Sequence, residues 1–159
     1  MFEIDNCQNC GLHKTALAKS RCLRGEGGVG ARLAIYVDHP AYMEDRRGRS
    51  FVSEPADLLR WMLRRMSVPM DKVYLDYVVK CYPGKKLPAS KSDRFYCIHQ
   101  CNQFRIATLQ RLFPKEIIAF GGLSLEAFTG HGANQLKSYA NCWWPPSDPR
   151  IAVMVNRVW

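Results

Sequence analysis

Four cysteines constrain this chain more than any other feature: Cys7 and Cys10 in a Cys-x-x-Cys, then Cys81, then Cys97. A close pair followed by two distant single cysteines is no local knuckle. Its thiols meet only if the fold brings remote segments to one place. Thiolates two residues apart can ligate one centre, and two more complete a four-cysteine shell. Zinc and a [4Fe–4S] cluster both accept four cysteines, and the spacing leaves that choice open. Cys101 lies one helical turn after Cys97 and can replace it as a ligand. Cys22 and Cys142 belong to no motif and read as structural. A buried, inert thiol is the usual fate of free cysteine, but the Cys-x-x-Cys argues against that reading here.

A chain of 159 residues is one domain, 1–159, long enough to bury a core. No apolar run is long enough to span a bilayer. The N-terminal Met1–Asn6 lacks the basic and apolar regions of a secretion signal. The expectation is an intracellular protein with no membrane association. Seven cysteines, an odd number, favour ligation or free thiols over a disulfide framework. Lys and Arg number 23 against 14 Asp and Glu, a formal charge of +9, so a polyanion is the natural partner, nucleic acid first. Four thiolates around a 2+ cluster would lower that charge and leave it clearly positive.

A glycine-rich link, Gly25–Gly30, leads into Arg32–Val37, a short apolar run that reads as a buried strand. A polar loop follows from Asp38 to Val52. Ser53-Glu54-Pro55 reads as a helix start, with Ser53 as cap and Pro55 in the first turn. Leu58, Leu59, Met62 and Met66 recur at helical spacing and carry that helix to about Met66. Val73–Val79 is a second strand, and a Pro/Gly/Lys loop then precedes a long helix from about Ser90 to Leu112. Glu116–Phe120 is a third strand ended by Gly121-Gly122, with a short helix over Ser124–Phe128 and a fourth strand at Ile151–Val155. Strands alternating with helices imply a parallel sheet covered on both faces. Ligands of such sheets bind at the carboxyl ends of the strands. The loops starting at Asp38, Lys80 and Asn156 therefore share one rim. Arg46, Arg47, Arg49, Lys85 and Lys86 lie in rim loops and suit phosphate contacts. Trp143-Trp144-Pro145-Pro146 is a rigid aromatic loop, suited to base stacking, partner docking or packing.

These residues together resemble one family. Cys7-Gln8-Asn9-Cys10-Gly11-Leu12, Glu44–Val52, Val78–Pro83 with the Cys97 helix, and Ile118–Gly121 are similar to successive motifs of the iron–sulfur (family 4) uracil-DNA glycosylases. The resemblance covers nearly the whole chain. It implies a three-layer αβα fold with a central four-stranded parallel sheet. It also implies DNA as partner and a [4Fe–4S] cluster on Cys7, Cys10, Cys81 and Cys97, preferring Cys97 to Cys101 and iron–sulfur to zinc. Phe51 stands where the family stacks an aromatic on the extruded base. Three departures accompany it. The family's Gly-Glu-x-Pro-Gly is here Val37-Asp38-His39-Pro40-Ala41, Tyr77 replaces a base-reading Asn, and Asn156-Arg157-Val158-Trp159 stands where the family has His-Pro-Ser.

Cutting an N-glycosidic bond needs an extruded base, a stacking platform, donors for the leaving base and a positioned water. Phe51 and Tyr77 are the base-binding candidates, and Asp38 and Asn156 the catalytic ones. Asn156 offers a hydrogen bond without the charge of an imidazolium. Asp38 at a strand end serves equally well to cap a turn, and Tyr77 is also explained by sheet packing. Two functions stay open. One is a divergent DNA glycosylase acting on uracil or another base. The other is an inactive DNA-binding or protein-interaction module in a replication, repair or phage-like assembly. The apolar Val158-Trp159 tail would be the surface for a protein partner.

Overall fold

Alternation along one strand sets the layering. In a computed structural model, which describes residues 7–14, 22–84, 90–139, 142–144 and 152–156, β1 is Glu26–Gly27 and β2 is Leu33–Val37. Leu33, Ile35 and Val37 of β2 point to one apolar cluster, while Ala34 and Tyr36 point to another. Successive strand residues face opposite ways, so a strand apolar at every position must be covered twice.

The remaining elements are α1 (Tyr42–Arg47), α2 (Glu54–Arg65), β3 (Val73–Tyr77), α3 (Lys91–Leu112), β4 (Glu116–Phe120), α4 (Gly122–Thr129), α5 (Leu136–Tyr139), β5 (Cys142–Trp144) and β6 (Ala152–Asn156). They form a six-stranded sheet ordered β1-β3-β2-β4-β6-β5. Its centre is the expected four parallel strands, β3-β2-β4-β6. Two short antiparallel strands, β1 and β5, close its edges. α2 covers one face through Ala56, Leu59 and Leu63. α3 and α4 cover the other through Cys97, Ile98, Cys101, Phe104 and Leu123.

Helix boundaries follow local chemistry. Ser90 caps α3 by accepting from the Asp93 N–H at 3.0 Å. The helix ends on Phe113 in the left-handed region, with Pro114 next. Ser53 does sit at the cap position of α2, but its hydroxyl donates to Glu44 rather than accepting from the helix.

The structure corrects four sequence expectations. The stretch from Asp38 to Val52 is not all loop. It contains α1, whose Glu44 accepts from the Ala41 N–H and whose stop is Gly48 at φ 64°. That half capping box and terminal glycine were readable in the sequence. The Gly25–Gly30 link contains β1, held by pairing with β3. Cys142–Trp144 is an edge strand rather than loop, formed by its pairing with β6. The second strand ends at Tyr77, two residues early. The Val78 and Val79 N–H groups still bond the carbonyls of Val37 and Asp38, each at 2.9 Å, as the chain turns under the rim.

Candidate functional site

Register gathers the predicted rim. Val37 pairs with Tyr77 on one side and Phe120 on the other, and Phe120 pairs with Asn156. Asp38, Tyr77, Gly121 and Asn156 thus stand at the carboxyl ends of neighbouring parallel strands, where such sheets bind ligands.

Phe51 and Tyr77 meet at this rim, and they meet each other. Their rings are parallel within 6°, with centroids 4.4 Å apart. The Phe51 N–H donates to the Tyr77 hydroxyl oxygen at 2.9 Å, and Arg60 donates to the Phe51 carbonyl at 2.8 Å. Arg60 also pairs with Glu26 of β1. These bonds hold Phe51 at φ 51°, a left-handed conformation unusual for a bulky residue. Phe51 is only 4% exposed and Tyr77 2%. Burial pushes the Tyr77 hydroxyl well above its ordinary pKa, so it stays protonated.

Asp38 turns toward α4. Its carboxylate accepts from the Ser124 N–H at 2.8 Å, a cap on the orphan amides of that helix N-terminus. Gly121, at φ 109°, permits this approach, since a β-carbon there would collide with the Asp38 carboxylate. Burial raises the Asp38 pKa, and the α4 amides partly offset the shift. Asn156 ends β6 opposite Phe120.

Arg46, Arg47 and Arg49 are exposed in the segment leading to Phe51. Arg47 also donates to the Val52 carbonyl at 3.1 Å. Lys85, Lys86 and the Val158-Trp159 tail lie outside the described residues. Sequence reasoning missed Glu44, which is 2% exposed and accepts from the Ala41 and Ser53 N–H groups at 3.2 and 3.0 Å. It ties both ends of the arginine segment together. Its only sequence signal was its spacing from Ala41 and Ser53.

The cysteines come together beneath the opposite face. Cys7, Cys10, Cys22, Cys81, Cys97 and Cys101 are all free thiols in or against one core cluster. The Tyr96 hydroxyl donates to the Asn9 carbonyl at 3.0 Å and pins the Cys-x-x-Cys segment to α3. The thiols form two groups. Cys10 is approached by Cys101 and Cys97, whose hydrogen bonds pull its pKa far below the ordinary thiol value. Cys22 lies 3.3 Å from Cys81 and likewise lowers the Cys81 pKa. The donor partners Cys22, Cys97 and Cys101 shift upward, first through these same bonds and then through burial. Among the described residues, no three such side chains converge on one point to hold a single metal ion. Cys22, with no motif to mark it, is the member that spacing left out.

Nearby, Lys80 and Asp76 form an ion pair that is 2% and 0% exposed. Asp76 also accepts from the Tyr77 N–H at 2.9 Å.

Fold and rim together define an α/β protein with a candidate site at the carboxyl ends of parallel strands, edged by arginines. The chain belongs to the uracil-DNA glycosylase superfamily, whose model matches residues 24–156. It is 30% identical over 125 residues to a type-4 uracil-DNA glycosylase of Thermotoga maritima, covering 79% of this chain and 62% of that protein. Type-4 uracil-DNA glycosylases of Archaeoglobus fulgidus and Sulfurisphaera tokodaii are 28% and 26% identical. Those matches each cover 75% of this chain, and 56% and 51% of the relatives. The chain thus spans between half and two thirds of the length of these relatives. No helix among the described residues is long and apolar enough to cross a membrane.

Proposed function

We propose that this chain is a DNA-binding member of the superfamily whose base slot is closed by its own Tyr77, so that it grips DNA without excising uracil. The carrying observation is the parallel Phe51–Tyr77 stack at 4.4 Å. An extruded base needs a free aromatic face, and Phe51 is buried against its own neighbour. Displacing Tyr77 forfeits the stack and its hydrogen bond, together about 1–3 kcal/mol before any burial is counted. Asp38, the candidate for guiding water, is engaged with α4, and Asn156 brings no charge to a leaving base. Arg46, Arg47 and Arg49 supply the grip on phosphates.

The second reading, hydrolysis of an N-glycosidic bond, is favoured by the shared rim of Asp38 and Asn156, two strands apart in the sheet. Multiple-turnover assays on single- and double-stranded oligonucleotides carrying one uracil, with alkali to reveal abasic sites, decide between them. The expected result is salt-sensitive binding with no product. Turnover abolished by Asp38→Asn would overturn the closed-slot reading and establish excision.

The thiols fit an iron–sulfur cluster in kind: they are free, buried and gathered from three remote segments. Cys7, Cys10, Cys81 and Cys97 would hold it. A bound cluster supplies a one-electron centre and a cross-link between the N-terminal segment, the turn after β3 and α3. Iron and acid-labile sulfide in anaerobically purified, brown protein are the expected result. A colourless zinc protein would reverse the choice.

A further inference from the structure

α2 carries apolar side chains on two of its faces. Ala56, Leu59 and Leu63 pack on the sheet, but Leu58 is 48% exposed, Trp61 56% and Met66 64%. Leu58, Met62 and Met66 follow one another at four-residue spacing, and Trp61 and Arg65 form the adjoining row. The Arg65 guanidinium lies over the Trp61 ring, 5.6 Å from its centroid. Earlier in the helix, Arg60 is engaged by Glu26 and Asp57. Arg64 and Arg65 are exposed, and neither has a carboxylate partner among the described residues. Single exposed apolar residues need no partner, but a contiguous row of them marks an interaction surface. Trp, Met and Arg are also the residues enriched at protein interfaces.

We propose that this outer face of α2 docks an acidic amphipathic segment of a partner protein. The segment's apolar side chains rest on Leu58, Trp61, Met62 and Met66, and its carboxylates pair with Arg64 and Arg65. Charge selects this occupant. A second copy of the chain carries the same formal +9 and is repelled. A nucleic-acid strand suits the arginines, but its bases stack on free aromatic faces. The face offers instead three non-aromatic side chains and one indole with Arg65 over it. A segment with both acids and apolar anchors satisfies the two unpaired cations and the exposed row together.

The probe is a fluorescein-labelled peptide of about 16 residues, with leucines at i, i+3, i+4 and i+7 and glutamates around them. It is titrated with the full chain at low salt and followed by anisotropy. The expected Kd is about 10–100 μM, rising several-fold as salt screens the charges. Trp61→Ala should weaken binding about tenfold, as should Arg64→Glu combined with Arg65→Glu. Ile106→Ser, exposed on α3, should bind like wild type. Far-UV circular dichroism confirms the fold of each variant. Leu58→Ser, about threefold weaker, gives an independent reading should Trp61→Ala fail to fold. Three results overturn the proposal: no binding by wild type, equal binding of the same peptide with lysine for glutamate, or folded Trp61→Ala and Leu58→Ser chains that bind like wild type. A dimer in sedimentation velocity that Trp61→Ala abolishes would make a second copy the occupant. An equal loss of oligonucleotide affinity in Trp61→Ala would make it nucleic acid. Each of these also overturns the proposal.

Discussion

The two faces of the sheet are finished in opposite ways. Under α2 the packing is apolar and self-satisfied. Phe51 and Tyr77 take up each other's faces, and the amide and carbonyl of Phe51 are both bonded. Under α3 and α4 the core holds free thiols, the buried Asp76–Lys80 pair, and polar atoms, Tyr36 Oη and Asp76 Oδ2 among them, with no hydrogen-bond partner among the described residues. Buried polar groups are stable only when paired. The α2 face is thus packed against itself at Phe51 and Tyr77, while the α3 face gathers the thiols and the buried ion pair. Excision chemistry was expected at the rim, on Asp38 and Asn156 with Phe51 and Tyr77, and the expected thiols lie under α3.

The largest break in that contrast should come from the α3 face. Lys80→Met leaves the Asp76 carboxylate buried without its cation and should cost about 3–5 kcal/mol in urea unfolding. A loss below about 1 kcal/mol would mean that Asp76 reaches water and that this face is wetter than it looks. Adding Asp76→Asn to Lys80→Met should recover much of the loss, since the uncompensated charge is gone.

A smaller effect tests the α2 face. Tyr77→Phe keeps the ring on Phe51 but leaves the Phe51 N–H without its acceptor, at a cost of about 1–3 kcal/mol by the same measurement. An unchanged midpoint would show that the stack holds Phe51 in place without that hydrogen bond.

The smallest effect concerns Asp38, at the rim beside α4. Burial raises its folded pKa above 3.8. A raised carboxyl contributes stability that is fully present below the unfolded pKa and is lost as pH rises through the folded one. The stability gap between wild type and Asp38→Asn should therefore shrink as pH increases from about 4, in denaturant titrations across that range. A gap that widens instead would mean that the α4 N-terminus outweighs burial and holds Asp38 ionised.

Much of the architecture was legible because its signals are local. The apolar runs at Leu33–Val37, Val73–Tyr77 and Glu116–Phe120, the Ser90-x-x-Asp93 cap and the helical spacing of Leu58, Leu59 and Met62 are each set within one element. The edge strands were not legible. Glu26–Gly27 and Cys142–Trp144 are strands only because β3 and β6 present open edges to them. At the rim, the sequence brought Asp38, Phe51, Tyr77 and Asn156 to one end of the sheet, but not the direction each side chain takes.

By itself, then, the sequence determined the periodicities, the parallel α/β order, the rim and a set of cysteines drawn from remote segments. Only the tertiary structure decided that Tyr77 lies on Phe51, that Asp38 serves α4, and that Cys22 stands beside Cys81. Those partners are 26, 86 and 59 residues apart. Side-chain period is fixed by backbone geometry within an element, whereas the atoms it meets depend on crossovers and strand register, which no local pattern encodes.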